Sequence, residues 1–438
     1  MLGFFLRVVP LWLWGFRGCS RDECSYKVLA RRIMDGEGLT PHEHWLWAPG
    51  YPYLLAAFGH FDSVYRVKRL QVALGLATAV LVYLLAKRVL GRSAGRWAVF
   101  LMALHPTLAF YTGTLWSETV YAFLLTGAAV AMLWAREGQG SRALVPGALL
   151  GLCVLFRGVA TYMAPIFAIA LLWPGPGSWR EALRARWRHV AILLATVALV
   201  VAPYSRSASE QYGGFIVSDA SLGQVMYVGN NDFPLTTYEY GNGVLSNRTW
   251  TFYYAKGRPH CDHDLSAAEW NRCEVRNGVA WIRDNPGRFL ARIPQRLAQL
   301  LNPNTFLTRH MRTGKWLGMP WWLKEGLSVL VVLFSLLVVL GGTVGAWARA
   351  RGAYGALAVG IVVYHLVVVS SLFGLSRFRA PLEPLWIVFL AGLLADPRGT
   401  WEALREAPAR AVGATLALAA LVPLMLWYLS AGFPMLYG

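Results

Sequence analysis

Asp22 and Glu23 stand side by side in "SRDECSY" (20–26), between Cys19 and Cys24 and just after the chain's first apolar stretch. Two adjacent carboxylates suit proton chemistry. One can accept a proton from an attacking hydroxyl, while the other orients the attacking group or tunes its neighbour by like-charge repulsion. The residues that follow, "CSYKVLARRIMDGEGL", have helical spacing, with Tyr26, Leu29, Ile33 and Met34 on one side and Lys27, Arg31 and Arg32 on the other. They predict an amphipathic helix lying on a membrane surface. The acids fall at its N-terminus, where the helix dipole favours negative charge. Spacing alone therefore leaves two roles open, chemistry or a simple helix-start pair.

Further along, Glu118 in "LWSETVY" lies at the start of an apolar span, where an acid is costly and usually functional. The competing role is a helix-start acid behind Ser117. "HEH" (42–44) and "PHCDHD" (259–264) hold metal-ligand residue types, but not in the spacing of a closed zinc site, so a divalent metal is possible but unsupported. Cys19 with Cys24, and Cys261 with Cys273, are pairs that an oxidising compartment would allow to cross-link. Cys153 falls in a span. "NRT" (247–249) is a sequon. A Walker loop, a dinucleotide fingerprint and a Ser-His-Asp signature are all missing from the sequence.

The elements that must position these residues are membrane helices. Of the 438 residues, 56% are hydrophobic, only 15% are charged, and 20 are Trp. A span needs roughly 20 apolar residues, and about eleven stretches approach that length, near residues 2–16, 68–86, 95–113, 116–135, 143–157, 159–173, 189–205, 326–346, 354–374, 380–395 and 411–431. The net charge of +18 is scattered over short loops and not gathered on one helical face, which points to lipid headgroups and excludes a nucleic-acid partner.

The basic loops 87–96, 180–188 and 348–352 alternate so as to share one side, which the positive-inside rule assigns to the cytoplasm. Loops 17–67 and 206–320 then face outward, and loops of that length are usually functional. Within the second, "GGFIVSD" (213–219) predicts a short strand. Ser266 and Glu269 have capping-box spacing before an amphipathic helix that breaks at Asn285-Pro286-Gly287. Three regions follow: an N-terminal transmembrane module (1–205), a large extracytoplasmic segment of mixed α/β character (206–320) and C-terminal transmembrane helices (321–438).

"DECSYKVLARRIMDGEGL" followed by "WAPGYPYLLA" resembles the first external loop of integral-membrane glycosyltransferases with the GT-C fold, above all glycosyltransferase family 39, the protein O-mannosyltransferases and the bacterial aminoarabinose transferases. "RLQVALGLATAVLVYLLAKRVLGRSAG", "ALHPTLAFYTGTLWSETVYAFLL", "GLCVLFRG", "APYSRSASEQYGGFIVSDASLGQVMYVGNN", "RDNPGRFLARIPQRL" and "SRFRAPLEPLWIVFLAG" continue the resemblance in family order. The chain departs from the pattern at Tyr204 (usually Trp), Ser207 (usually Asn), Gly158 (often Pro after the Arg) and in its short first span.

The resemblance implies an all-α polytopic GT-C protein. It also implies an inverting transfer of a sugar from a polyprenyl-phosphate donor to an acceptor hydroxyl on a glycan, lipid or protein, at the outer face of a bacterial inner membrane and with no required cofactor. It makes Asp22 the base, with Glu23 secondary. Arg69, Arg157, Arg206, Arg377 and Arg379 become candidates for the donor phosphate, because an Arg fork matches phosphate oxygens. Tyr26, Tyr51 and Glu118 become candidate sugar or acceptor contacts. The competing function classes are a transporter or flippase for a lipid-linked sugar, which predicts mid-membrane charges and an inverted repeat, and a non-catalytic scaffold with the same fold.

Overall fold

A helix begins at the acid pair itself. In the computed structural model, which describes residues 3, 4, 7, 8, 22–40, 46–58, 64–175, 177–232, 261, 264–312 and 318–432, α1 (Asp22–Met34) buries Tyr26 and Leu29 and is followed by α2 (Gly50–Phe58). Next come α3 (Val64–Leu90), α4 (Arg92–Leu104), α5 (Pro106–Tyr111) and α6 (Glu118–Arg136). The middle of the chain forms α7 (Leu144–Phe156), α8 (Ala164–Leu172) and the long α9 (Trp179–Gln211). After α9 come α10 (Leu222–Gly229), α11 (Ala267–Asp284), α12 (Pro286–Leu301) and α13 (Phe306–Arg312). The C-terminal part is α14 (Trp321–Arg349), α15 (Gly352–Ser371), α16 (Ser376–Ala395), α17 (Pro397–Arg405) and α18 (Pro408–Gly432). Local chemistry accounts for several boundaries. Ser178 with Glu181 and Ser266 with Glu269 form reciprocal capping boxes at the starts of α9 and α11. Asn285 then ends α11 and Pro286 opens α12.

Among the described residues, seven helices are long and apolar enough to cross a membrane: α3, α6, α9, α14, α15, α16 and α18. Seven of the eleven expected stretches reach that length, and the other four are as follows. The stretch 95–113 is cut into α4 and α5 because His105, preceding Pro106, is extended (φ −64°, ψ 106°), as the residue before proline prefers. The stretches 143–157 and 159–173 are the short helices α7 and α8, separated by an extended Arg157 (φ −153°, ψ 121°) and a tight turn over Gly158–Tyr162. The stretch 2–16 falls almost wholly outside the described residues.

The expected strand over 213–219 is absent, and no strand occurs among the described residues. Gly213 (φ 75°) and Gly214 (φ 154°) turn the chain there. The hydroxyls of Ser205 and Ser209 take the place of a partner strand: Ser205 Oγ donates to Ile216 O at 2.6 Å, and Ser209 Oγ accepts from Ile216 N at 2.9 Å.

The α16 rod sits at the centre, with 78% of its apolar window buried inside the protein against 11% for the peripheral α18. Its backbone is approached closely by α14, where a Cβ on Gly345 would lie 2.2 Å from Phe389 O. The bundle has two distinct ends. At one, Arg88 pairs with Glu137, His189 Nε2 lies 3.0 Å from Gly138 O, and Arg349 Nη2 meets Asp396 Oδ2 at 2.7 Å. That end gathers the arginine-rich segments 87–96, 180–188 and 348–352. The opposite end holds Asp22, Glu118, Arg157 and Arg377.

A second buried charge group pins the start of α16 to its neighbours. Arg379 Nε donates to Glu383 Oε1 at 2.8 Å, its Nη1 donates to Asn302 O at 3.1 Å, and its Nη2 donates to Ser335 Oγ at 3.3 Å. His105 Nδ1 accepts from Leu108 N, leaving Nε2 to face Glu383 Oε2 at 2.9 Å. The side chains of Arg379 and Glu383 are essentially unexposed, so removing one partner strands a charge in an apolar surround. Arg379→Ala is expected to cost about 3–5 kcal/mol, read as a large fall in the thermal unfolding midpoint in detergent. An unshifted midpoint would show that the triad does not hold α16.

Candidate active site

Arg377 occupies the first turn of α16, and its guanidinium joins two acids from distant parts of the chain. Nη1 donates to Asp22 Oδ2 at the start of α1, and Nε donates to Glu118 Oε1 at the start of α6. Its plane lies over Trp116, with Cζ 4.4 Å from the ring centroid, an arrangement that favours a desolvated cation. Arg157 reaches Glu118 Oε1 from the end of α7, with Nη1 at 2.7 Å, and its Cζ lies 5.7 Å from the Tyr121 ring and 5.6 Å from the Phe378 ring. Two cations and two acids thus balance one another at this point. Exposure grades across the group: the Glu118 side chain is 1% exposed, Arg377 8%, Arg157 15% and Asp22 35%. Asp22 is therefore the acid that an incoming molecule meets.

Asp22, Arg157 and Arg377 line a cleft of about 1250 Å³, to which Tyr26, Trp116 and Asp219 also contribute. That volume exceeds the 300–1,000 Å³ usual for small-molecule pockets (approximate range). Much of the remaining wall is apolar, including Val367, Val368 and Phe373. All three sequence regions supply it: Asp22 and Arg157 come from the first, Asp219 from the second and Arg377 from the third.

Glu23 does not line the cleft. It is buried, and its Oε1 accepts the Leu115 N–H at 2.8 Å, tying α1 to the turn that carries Trp116. Tyr26 lines the cleft and packs against Trp47 and Tyr51, with centroids 4.8 and 4.9 Å away. Burial pushes its phenol up to about 12, so it stays a neutral hydroxyl. Tyr51 lies behind it, fully buried, and donates to Gln71 Oε1 at 2.9 Å. Gln71 Nε2 in turn holds Thr112 O at 3.1 Å and Thr114 O at 2.6 Å. Tyr51 is thus a brace for the Thr112–Ser117 turn and makes no contact with the cleft.

Three of the five candidate arginines are not brought to the cleft. Arg206 is 84% exposed and pairs with Glu210 one helical turn on. Arg69 is exposed on α3. Arg379 points into the bundle as described. The expectations at His42, His44, His260 and His263 lie outside the described residues, and among the described residues no three His, Cys, Asp or Glu side chains gather as a metal group. Cys261 and Cys273 are disulfide-bonded, as is Cys24, whose expected partner Cys19 lies outside the described residues.

The residue that sequence reading missed is Asp219. It lies in the cleft wall, with Oδ2 accepting from Ser221 Oγ at 3.1 Å, and its carboxyl is raised to about 6 by burial. Its signal in the sequence was slight: a lone acid in "IVSDAS", and a glycine where family members often carry proline after the arginine.

Residues 48–204 match the family model described as dolichyl-phosphate-mannose-protein mannosyltransferase. No curated protein sequence gives a significant match. Among solved structures, the fold is similar to the oligosaccharyltransferase of Archaeoglobus fulgidus. The apo form has a TM-score of 0.51 at 15% identity, with 98% of this chain and 55% of that chain covered. The form in complex with Zn and sulfate has a TM-score of 0.50 at 15% identity, covering 98% and 52%. A further match is ArnT from Cupriavidus metallidurans bound to undecaprenyl phosphate, with a TM-score of 0.43 at 12% identity, covering 91% of this chain and 76% of that one. The chain thus spans about half the length of the oligosaccharyltransferases it matches. It is an integral membrane protein of the GT-C fold that carries, over residues 48–204, the sequence pattern of the dolichyl-phosphate-mannose-protein mannosyltransferase family.

Proposed function

We propose that the chain is an inverting glycosyltransferase that moves a sugar from a polyprenyl phosphate to an acceptor hydroxyl. The observation that carries this reading is the joint placement of Asp22, Arg157 and Arg377 on one wall of the cleft. The matched family model, whose description names a dolichyl-phosphate sugar donor, supports the donor class. The apolar part of the wall suits a lipid chain, and the guanidiniums suit its phosphate.

In the proposed step, the acceptor hydroxyl oxygen attacks the anomeric carbon while its proton passes to the Asp22 carboxylate. The bond from the anomeric carbon to the phosphate oxygen breaks, and its electron pair leaves with the polyprenyl phosphate. Attack opposite the leaving group inverts the anomeric centre. Polyprenyl phosphate is already a good leaving group, so this side needs positive charge and no strong acid. Arg157 and Arg377 supply that charge, and the proposal assigns the task to them and not to a metal. Tyr26 offers a hydroxyl to the sugar or acceptor, and Glu118 keeps both guanidiniums in place from behind.

The pairing of Arg377 with Asp22 gives the reaction an order. While Arg377 holds Asp22, one carboxylate oxygen is engaged by the guanidinium. A donor phosphate that takes a share of Arg377 loosens that pairing and frees this oxygen for the acceptor hydroxyl, so transfer follows donor binding. The cluster lies at the end of the bundle opposite the arginine-rich segments, which on the positive-inside rule makes it extracytoplasmic, in a bacterial plasma membrane on this reading.

Asp22→Asn is expected to lower transfer about 10²–10⁴-fold while leaving binding of polyprenyl phosphate intact, measured with a panel of polyprenyl-phosphate sugars and the protein in lipid nanodiscs. Transfer at the wild-type rate in this variant would remove the mechanism. Among the arginines, Arg157→Ala should weaken polyprenyl phosphate binding about tenfold or more, whereas Arg206→Ala and Arg69→Ala should leave it within about twofold. Equal losses at all three positions would point to a diffuse surface field in place of a defined phosphate site.

A further inference from the structure

Arg157 stands where the helical path is broken, between α7 and the tight turn that begins at Gly158. Its carbonyl accepts from Ala160 N at 3.0 Å, the first hydrogen bond of that turn, so whatever sets the turn also sets where the arginine leaves α7. Asp219 lies against that turn. A Cβ on Gly158 would sit 2.4 Å from Asp219 Oδ2 and 2.6 Å from Oδ1, so the carboxylate occupies the space that the glycine leaves. The Gly158 and Ser221 backbone N–H groups and the Ser221 hydroxyl all favour the ionised form. Proline, which often follows the arginine in the resembling family, would fill that space with its ring and would also remove the Gly158 N–H. The departure at Gly158 and the acid at Asp219 are therefore two halves of one contact.

The carboxylate is kept at a cost. Its pKa is raised from 3.8 to about 6 by burial, against the opposing pull of its hydrogen bonds and of Arg157. For an acid raised in the folded state, stability is lost as pH climbs from the ordinary value to the raised one, so ionised Asp219 destabilises the fold at neutral pH. Arg157 from the end of α7 and the buried phenol of Tyr204 from α9 are the ionisable groups that act on it or feel its charge. A buried charge retained against stability is what a functional constraint looks like.

We infer that Asp219 is a positioning residue for the donor: seated on Gly158, it sets the turn so that Arg157 faces the phosphate of a polyprenyl-phosphate substrate. This rests on the reading of the site given above. Because it acts through Arg157, its effect should vanish when Arg157 is gone.

The test uses the full chain in nanodiscs and polyprenyl phosphate alone as the probe. Asp219→Asn and Gly158→Ala are each expected to weaken binding about tenfold, while Asp219→Asn added to Arg157→Ala changes affinity by less than about twofold. The thermal midpoint of Asp219→Asn should equal or exceed that of the wild type, since the amide removes a buried charge. Wild-type affinity in Asp219→Asn, or the same tenfold loss in the Arg157→Ala background, overturns the inference and leaves the reading of the site standing. A lowered midpoint accompanied by lost binding marks Asp219 as merely structural and also overturns it. If the wild type itself does not bind polyprenyl phosphate, the reading of the site falls first and the inference falls with it.

Discussion

A guanidinium buried at the end of a membrane bundle has to be balanced where it stands, because burial leaves little solvent to share its charge. Arg377 meets that constraint with Asp22 on one side, Glu118 on the other and the face of Trp116 beneath. The first turns of α1, α6 and α16 must converge for this to happen, although their residues lie far apart in the chain. Much of the rest serves that convergence. Glu23 ties α1 to the Trp116 turn, Gln71 holds the same turn from α3, and the Arg379–Glu383–His105 group fixes the start of α16 from inside the bundle.

The same constraint separates charges that hold the fold from charges that face the cleft. Arg377 and Arg379 are two residues apart, yet they point to opposite sides of the α16 start. One reaches the cleft acids and the other a closed set of partners in the core. Glu383 is wholly enclosed with its arginine, whereas Asp22 keeps about a third of its side chain open. A buried pair of the first kind contributes rigidity, and a partly open acid of the second kind can be reached from the cleft. The inner triad thus fixes the helix that carries Arg377 while facing away from the cleft.

The sequence revealed the membrane class, the capping box at Ser266 and Glu269, the break at Asn285-Pro286 and the acid pair at the start of α1, because each is a local pattern of residue types. It could not separate Arg206 from Arg157. Both follow an apolar run, and only three-dimensional placement shows one in solvent and the other over the Tyr121 ring. Spacing alone could not rank Asp22 above Glu23, which only the family resemblance did, since adjacent residues on a helix start point about 100° apart and the direction that meets the cleft is set by α6 and α16. The stretch 95–113 shows the same limit: hydropathy counts apolar residues but does not register that His105 before Pro106 interrupts the rod.

Those interruptions are themselves the means by which the bundle builds a site. An unbroken helix through residues 144–172 would satisfy its own backbone and carry Arg157 on its flank among lipid or neighbouring helices. Breaking it brings the arginine to the end of α7 and opens a turn whose backbone can be gripped by a residue from the next region, as Asp219 grips Gly158. The break at His105 likewise frees an imidazole to face Glu383 instead of leaving it in the middle of a span. At both His105 and Arg157, the place where the apolar helix stops is the place where polar side chains are brought together.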